Sequence, residues 1–377
     1  MKKSVLFLMA VLTVVSVSLP GHSTATEQKH FRHLMFRESP LTSYRGIHPV
    51  SKQQSQSIAH YEFSYDDQGR VIQISRKIND TLIGGMGVFD SFIWFAPQVK
   101  IDYQANREVH TYYGLKGEQI SAHGKVWRAE YKLDESGNRQ SLVFFDAQGK
   151  PAESEWNIHQ YLWRASHDGH TFEKRLNLKG EQMALRPEFK FYEVKLEYDN
   201  DGKLMFMRNF GVNHQPTNND SGAGIDRITY DLSGNFTRWQ VYDKDGNAVE
   251  GNRPMVHLGE HLYDGVGNKI GMRGFDRHGK NIPFSWGSIK QLRSFNKQGI
   301  QDSYTAFNAD GSFDVHLKWQ YNERGTQQTS LTSFDESGKK SPSPHLRGAA
   351  QITFHNDKGE TERKFYDAQG KQMQIAE

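Results

Sequence analysis

An aromatic residue, an aspartate, two variable residues and a glycine recur down almost the whole 377-residue chain. The phrase reads Tyr65-Asp66-x-x-Gly69 near the start and Tyr366-Asp367-x-x-Gly370 near the end, with Phe145-Asp146-x-x-Gly149, Tyr198-Asp199-x-x-Gly202, Tyr230-Asp231-x-x-Gly234 and Tyr263-Asp264-x-x-Gly267 among those between. An internal repeat of this density decides the architecture before any single residue is interpreted.

The glycines fall into two interleaved series. The first runs Gly69, Asn106, Gly137, Gly169, Gly202, Gly234, Gly267, Gly299, Gly325, Gly359, mostly 31 to 34 residues apart. The second (Gly117, Gly149, Gly180, His214, Gly246, Gly279, Gly311, Gly338, Gly370) trails it by about 12 residues. The unit is therefore about 32 residues with two turns, present about ten times. Asn106 and His214 stand where glycine is expected, and Asn is the next-best residue for a left-handed backbone. The first unit shows no clear second turn.

The phrase has a mechanical reading. Aspartate bonds the backbone two residues on, and glycine at the fourth position takes positive φ to close a type I turn with a bulge. About seven residues lie between turns, as in Asn235-Phe236-Thr237-Arg238-Trp239-Gln240-Val241, a normal strand rich in β-formers. Strict alternation puts Thr237, Trp239 and Val241 on one face and Phe236, Arg238 and Gln240 on the other. Each unit reads as strand, tight turn, strand, tight turn and a longer return. The expected fold is an all-β antiparallel hairpin repeat array, elongated, curved or closed on itself, stabilised by nearest-neighbour units. Residues 26–54 lie outside the repeat and read as a capping segment, with the array over 55–377.

The repeat resembles the YD-type repeats of bacterial Rhs proteins over roughly residues 55–377. The resemblance implies an antiparallel sheet wound into a spiral or hollow shell. The repeats run to the end of the chain, so the resemblance implies no toxin module here.

The first 25 residues read as a secretory signal peptide: Lys2 and Lys3, an apolar run from Val5 to Val17, then Ser23-Thr24-Ala25 as a small-residue cleavage site. Export to the periplasm or medium follows. Losing this segment removes two lysines and no acids, so the net charge falls from +3 to +1. A near-neutral chain lacks the concentrated basic face a nucleic-acid binder needs. The absence of cysteine excludes disulfides, thiol catalysis and thiolate metal sites.

The search for chemistry turns up two candidates. His257-Leu-Gly-Glu-His261 fits a zinc-peptidase pattern, which works only on a helix. The repeat register places it on a strand entering the turn at Asp264, so neither metal nor cofactor is expected. Asp243-Lys244-Asp245-Gly246 is too short for a calcium loop and reads as a turn. The second candidate is the segment before the array, where His30, Arg32, His33, Arg37, Glu38, Tyr44, Arg45 and His48 crowd together, with Arg32, His33, Arg37, Tyr44, Arg45 and His48 as the selected binding residues. Such a group binds an anion or supplies an acid-base pair. The competing reading is structural, with these arginines paired to Asp and Glu of the first units.

Two stretches break the rhythm. Residues 84–97 are the most apolar part after the signal peptide and read as a capping strand or a lipid or partner contact. Residues 212–225 read as a polar surface loop. The expected function is an exported protein that binds an envelope protein, glycan or anionic ligand without catalysis. The alternative is a polysaccharide hydrolase or lyase with its site between the N-terminal segment and the array.

Overall fold

The structure, a computed structural model, describes residues 25–84, 96–357 and 360–374. The signal-peptide expectation and all but the ends of the 84–97 stretch lie outside them. Among the described residues 26 strands form one antiparallel sheet in hairpin order, not closed into a barrel. The first four are β1 (Glu27–Leu34), β2 (Gly46–Val50), β3 (Ala59–Tyr65) and β4 (Val71–Ile78). The all-β array read from the repeat is thus the fold. Its apolar residues form separate clusters strung along the sheet, the three largest built mainly from neighbouring units.

The turn phrase works as its chemistry demands. Asp66 Oδ1 accepts from the backbone N–H groups of Gln68 and Arg70, and the Gly69 N–H donates to the Asp66 carbonyl. The same pattern recurs at Asp134, Asp146, Asp199, Asp231, Asp264 and Asp276. It also holds at Asp243, whose carboxylate is taken up by Asp245 N–H, Asn247 N–H and the Asn247 amide, as a turn requires. His214 takes the left-handed conformation expected of it, with φ 55°.

Three local expectations need correction. Asn106 has no positive φ: Gln104 pairs directly with Arg107, so this unit closes its turn in two residues, neither of them left-handed. The first unit does have a tight second turn, at Asn79-Asp80, with φ 51° at Asn79 and Ile78 paired to Thr81. Phe236 shares the buried side with Trp239 and Val241 instead of opposing them. The register shifts between Thr229 and Tyr230, leaving Thr237 unpaired, and this bulge rotates Phe236 inward.

The N-terminal segment belongs to the sheet and also leaves it. β1 pairs with β2 on one side and β3 on the other. The connection between β1 and β2, residues 35–45, departs inward and is largely buried, with Ser39 fully so. It meets units far away in sequence. Tyr131 Oη and Arg139 Nη1 donate to the Pro40 carbonyl, at 3.3 and 2.9 Å. Ser39 Oγ donates to Glu173, and Thr42 Oγ1 to Tyr198 Oη at 3.2 Å. Beyond it, Ile47 packs on Gly234, His48 on Gly267 and Asn235, and Arg32 on Gly299. Successive first-series turns therefore converge on this segment, and the sheet winds around it. The winding brings the first hairpin against the eighth and ninth units: Ala59 N–H donates to the Gln298 carbonyl, and Ala59, Ile78, Ile83 and Ile300 form one cluster.

Candidate functional site

The structure sorts the six sequence-selected residues into two pairs and two rim contacts. Arg37 is buried, lies 3.7 Å from the Tyr44 ring centroid and donates to the Thr42 carbonyl at 2.8 Å. The rings of His33 and His48 meet edge to face at 5.6 Å. His48 Nε2 lies 2.9 Å from Asn235 Oδ1. Burial first, then the neighbouring His48, Arg32 and Arg76, hold the His33 imidazole down to about 3, so it is neutral at any working pH. Arg45 donates to the Asp201 carbonyl at 3.0 Å, and Arg32 reaches the turn at Gly299. These contacts tie the segment to the middle units of the array.

The zinc-peptidase phrase enters a strand, Leu258–Tyr263, with His257 immediately before it, as its register predicts. His257 and His261 turn their Nδ1 atoms to the carbonyls of Val241 and Phe236, at 2.8 and 2.9 Å. Glu260 points the other way, to Arg238 and Arg273. The three side chains do not meet.

A cavity of about 230 Å³ opens where Phe36 and Glu38 face residues 186–189 and the fifth to seventh units. Its walls are aromatic: Phe36, Phe189, Phe236 and Trp239, with His261 between the last two, 4.8 and 5.0 Å from their centroids. Phe36 stacks on Phe236 at 4.4 Å. The indole of Trp239 lies over the backbone of its cross-strand partner Gly259, where any Cβ would collide with the ring. Three carboxyl groups, Glu38, Glu188 and Asp226, and two guanidinium groups, Arg186 and Arg253, also line it, with Arg253 paired to Glu188 at 2.7 Å.

Glu38 and Asp226 are unusual. Burial pushes Asp226 up to about 8, and the nearby Glu38 adds to the shift. Asn252 donates to Asp226 Oδ1 at 3.2 Å and opposes it only in part. Glu38 is also raised by burial, against the pull of Arg186, which pairs with it directly. Asp226 thus carries its proton at neutral pH and offers a hydroxyl donor beside aromatic faces. Burial also drives the His261 imidazole well below its ordinary value. Sequence reasoning named Glu38 in the N-terminal cluster but missed Phe36 and Asp226. Asp226 sits in a strand, away from any turn phrase, and nothing local marks it.

No family model matches the chain, and no curated protein does. Among solved structures it is similar to a chain of the Photorhabdus luminescens Tc holotoxin pore, at 11% identity and a TM-score of 0.28, covering 80% of this chain and 15% of that one. A porin-like protein from Bacteroides uniformis gives 11% identity and a TM-score of 0.26, covering 82% and 96%. A chain of the TcdB2-TccC3-Cdc42 complex gives 11% identity and a TM-score of 0.19, covering 92% and 21%. The chain spans a small part of the Tc toxin chains it matches, and likenesses this remote carry no functional argument. Among the described residues no helix is long and apolar enough to cross a membrane.

Proposed function

We propose that this chain is an exported repeat scaffold that binds an envelope glycan without catalysis, in the cavity between residues 36–38 and the array. The observation that carries the reading is the composition of that cavity. Flat aromatic faces stand beside a protonated carboxyl, Asp226, and two carboxyl–guanidinium pairs, Glu38 with Arg186 and Glu188 with Arg253. Sugar rings present apolar C–H faces and a rim of hydroxyls, and such a wall matches both. Titrating a tag-free protein with soluble envelope glycan fragments, followed calorimetrically, should give saturable binding that Trp239→Ala abolishes. Equal affinity in Trp239→Ala would place the ligand elsewhere, and no binding to any fragment would overturn the reading.

One observation favours a second reading, a glycan hydrolase or lyase at the same place. Two buried carboxyls in one cavity, Glu38 and Asp226, with at least one kept protonated at neutral pH, are the acid-base complement such chemistry uses. Incubating the same fragments with protein and analysing them by mass spectrometry separates the two readings. Cleavage lost in both Glu38→Gln and Asp226→Asn establishes the enzyme; unchanged fragments leave the binder.

A further inference from the structure

Away from this cavity, three side chains on the first strands converge without a partner for the atoms that face one another. His30 is on β1, and His60 and Glu62 are on β3. His30 pairs directly across from Glu62, while His60 and Glu62 are two apart on one strand and share a face. One nitrogen from each histidine and a carboxylate oxygen lie within 4.8 Å of one another, and His30 Nδ1 is 4.0 Å from Glu62 Oε2.

The hydrogen bonds around the group decide which atoms are free. His60 is 1% exposed, and its Nδ1 lies 3.0 Å from the Ile58 carbonyl oxygen. A carbonyl oxygen only accepts, so Nδ1 carries the hydrogen and Nε2 keeps its lone pair. That Nε2 is buried and has no hydrogen-bond partner, and neither has His30 Nδ1. A histidine whose second nitrogen is fixed on a backbone carbonyl is the arrangement metal-binding histidines adopt. Glu62 is 7% exposed; Lys77 Nζ donates to its Oε1 at 2.7 Å, leaving Oε2 turned to His30. The two imidazole rings meet edge to face at 5.1 Å.

We infer that His30, His60 and Glu62 form a divalent transition-metal site, with zinc as the ion its donors suit best. Two imidazole nitrogens and one carboxylate oxygen are a three-ligand set that leaves a fourth position for water or a ligand atom. Metal–ligand bonds of about 2 Å hold tetrahedral donors roughly 3.3 Å apart, so the site closes by a small inward movement of side chains. The backbone is already in place, because cross-strand pairing sets the separation of β1 and β3. Binding would join β1 to β3 ahead of the inward connection that begins at residue 35. The ammonium of Lys77 opposes a cation here, and its removal is therefore expected to tighten binding.

The test uses tag-free, chelator-stripped full-length protein. Zinc titration by calorimetry and cobalt titration by visible absorption should show one ion per chain, with a cobalt band characteristic of low coordination. His30→Gln and His60→Gln should each weaken binding at least tenfold, and Lys77→Met should tighten it several-fold. Circular dichroism verifies that each variant folds. His30 and Glu62 are not fully enclosed, so His30→Gln and Glu62→Gln keep the test valid should His60→Gln misfold. The inference is overturned if the wild-type protein binds no zinc, or if zinc binds the His30 and Glu62 variants with unchanged stoichiometry and affinity.

Discussion

Asn252 donates a 3.2 Å hydrogen bond to Asp226 Oδ1 inside the aromatic cavity, and this contact is too weak to keep Asp226 ionised. Burial dominates, and the folded carboxyl holds its proton up to about pH 8. The unfolded chain releases the same proton near the ordinary aspartate value of about 4. Between those limits the folded state binds more protons, so rising pH favours unfolding. Asp226→Asn removes this penalty. The thermal midpoint of the variant is expected to exceed wild type at pH 9 and to match it within a degree or two near pH 4, a gain on the order of 1–3 kcal/mol. Melting curves across this range check the prediction; a gain of equal size at both ends would refute it.

Glu108 behaves in the opposite sense. Burial alone would raise it, but a hydrogen bond from His110 and the charge of Arg139 outweigh burial and hold it at about 2. Its ionised form stabilises the fold above about pH 4, and that contribution is lost as pH falls toward 2. Arg139 also donates to the Pro40 and Leu41 carbonyls, so it fastens the inward segment to the third unit. Arg139→Met leaves Glu108 buried with His110 as its remaining partner and should cost about 3–5 kcal/mol. Tryptic cleavage after Arg37 and Arg45, slow in wild type, should become fast. Unchanged cleavage with lowered stability would mean the segment is held by its other contacts.

The difference between what the sequence reveals and what it hides is a difference of range. The turns at Asp66 and Asp264 are closed within five residues, so their chemistry is legible in the phrase itself. The strand that His257–His261 enters follows from the same local register. The inward path of residues 35–45 depends on Tyr131, Arg139, Glu173 and Tyr198, up to 156 positions away, and no local pattern encodes it. Phe236 was hidden for another reason. One bulged residue inverts a period-two reading, so a regular alternation placed the ring on the wrong face. The His30–His60–Glu62 group is a cross-strand pairing that becomes visible only once β1 is known to lie beside β3.

The two glycine series separate turn strain from packing. Gly267 and Gly279 both have left-handed backbones, with φ 84° and 81°. An added Cβ at Gly279 meets nothing within 4 Å, whereas at Gly267 it would lie 2.3 Å from His48 Nε2. Alanine should therefore cost the strain alone at Gly279, about 1–2 kcal/mol. Gly267→Ala should cost more and should also displace His48 from Asn235. Urea denaturation of the two variants gives the difference, and His48→Ala should shrink it. Equal costs in both variants would show that the segment does not press on the Gly267 turn.

Gly259 has a similar relation to Trp239, and it bears on ligand binding. The two residues pair across strands, and a Cβ at Gly259 would lie 1.9 Å from Trp239 Cζ2. The glycine therefore exists as a seat for the indole, which the cavity presents to its ligand. Gly259→Ala forces the ring off the strand and should cost about 1–3 kcal/mol from overpacking. Glycan binding should fall with it, while Gly265→Ala, whose Cβ would enter open space, should leave both stability and binding near wild type. Near-ultraviolet circular dichroism reads the ring directly. The change caused by Gly259→Ala should vanish in a Trp239→Phe background, and its persistence there would mean that the alanine disturbs the sheet and not the indole.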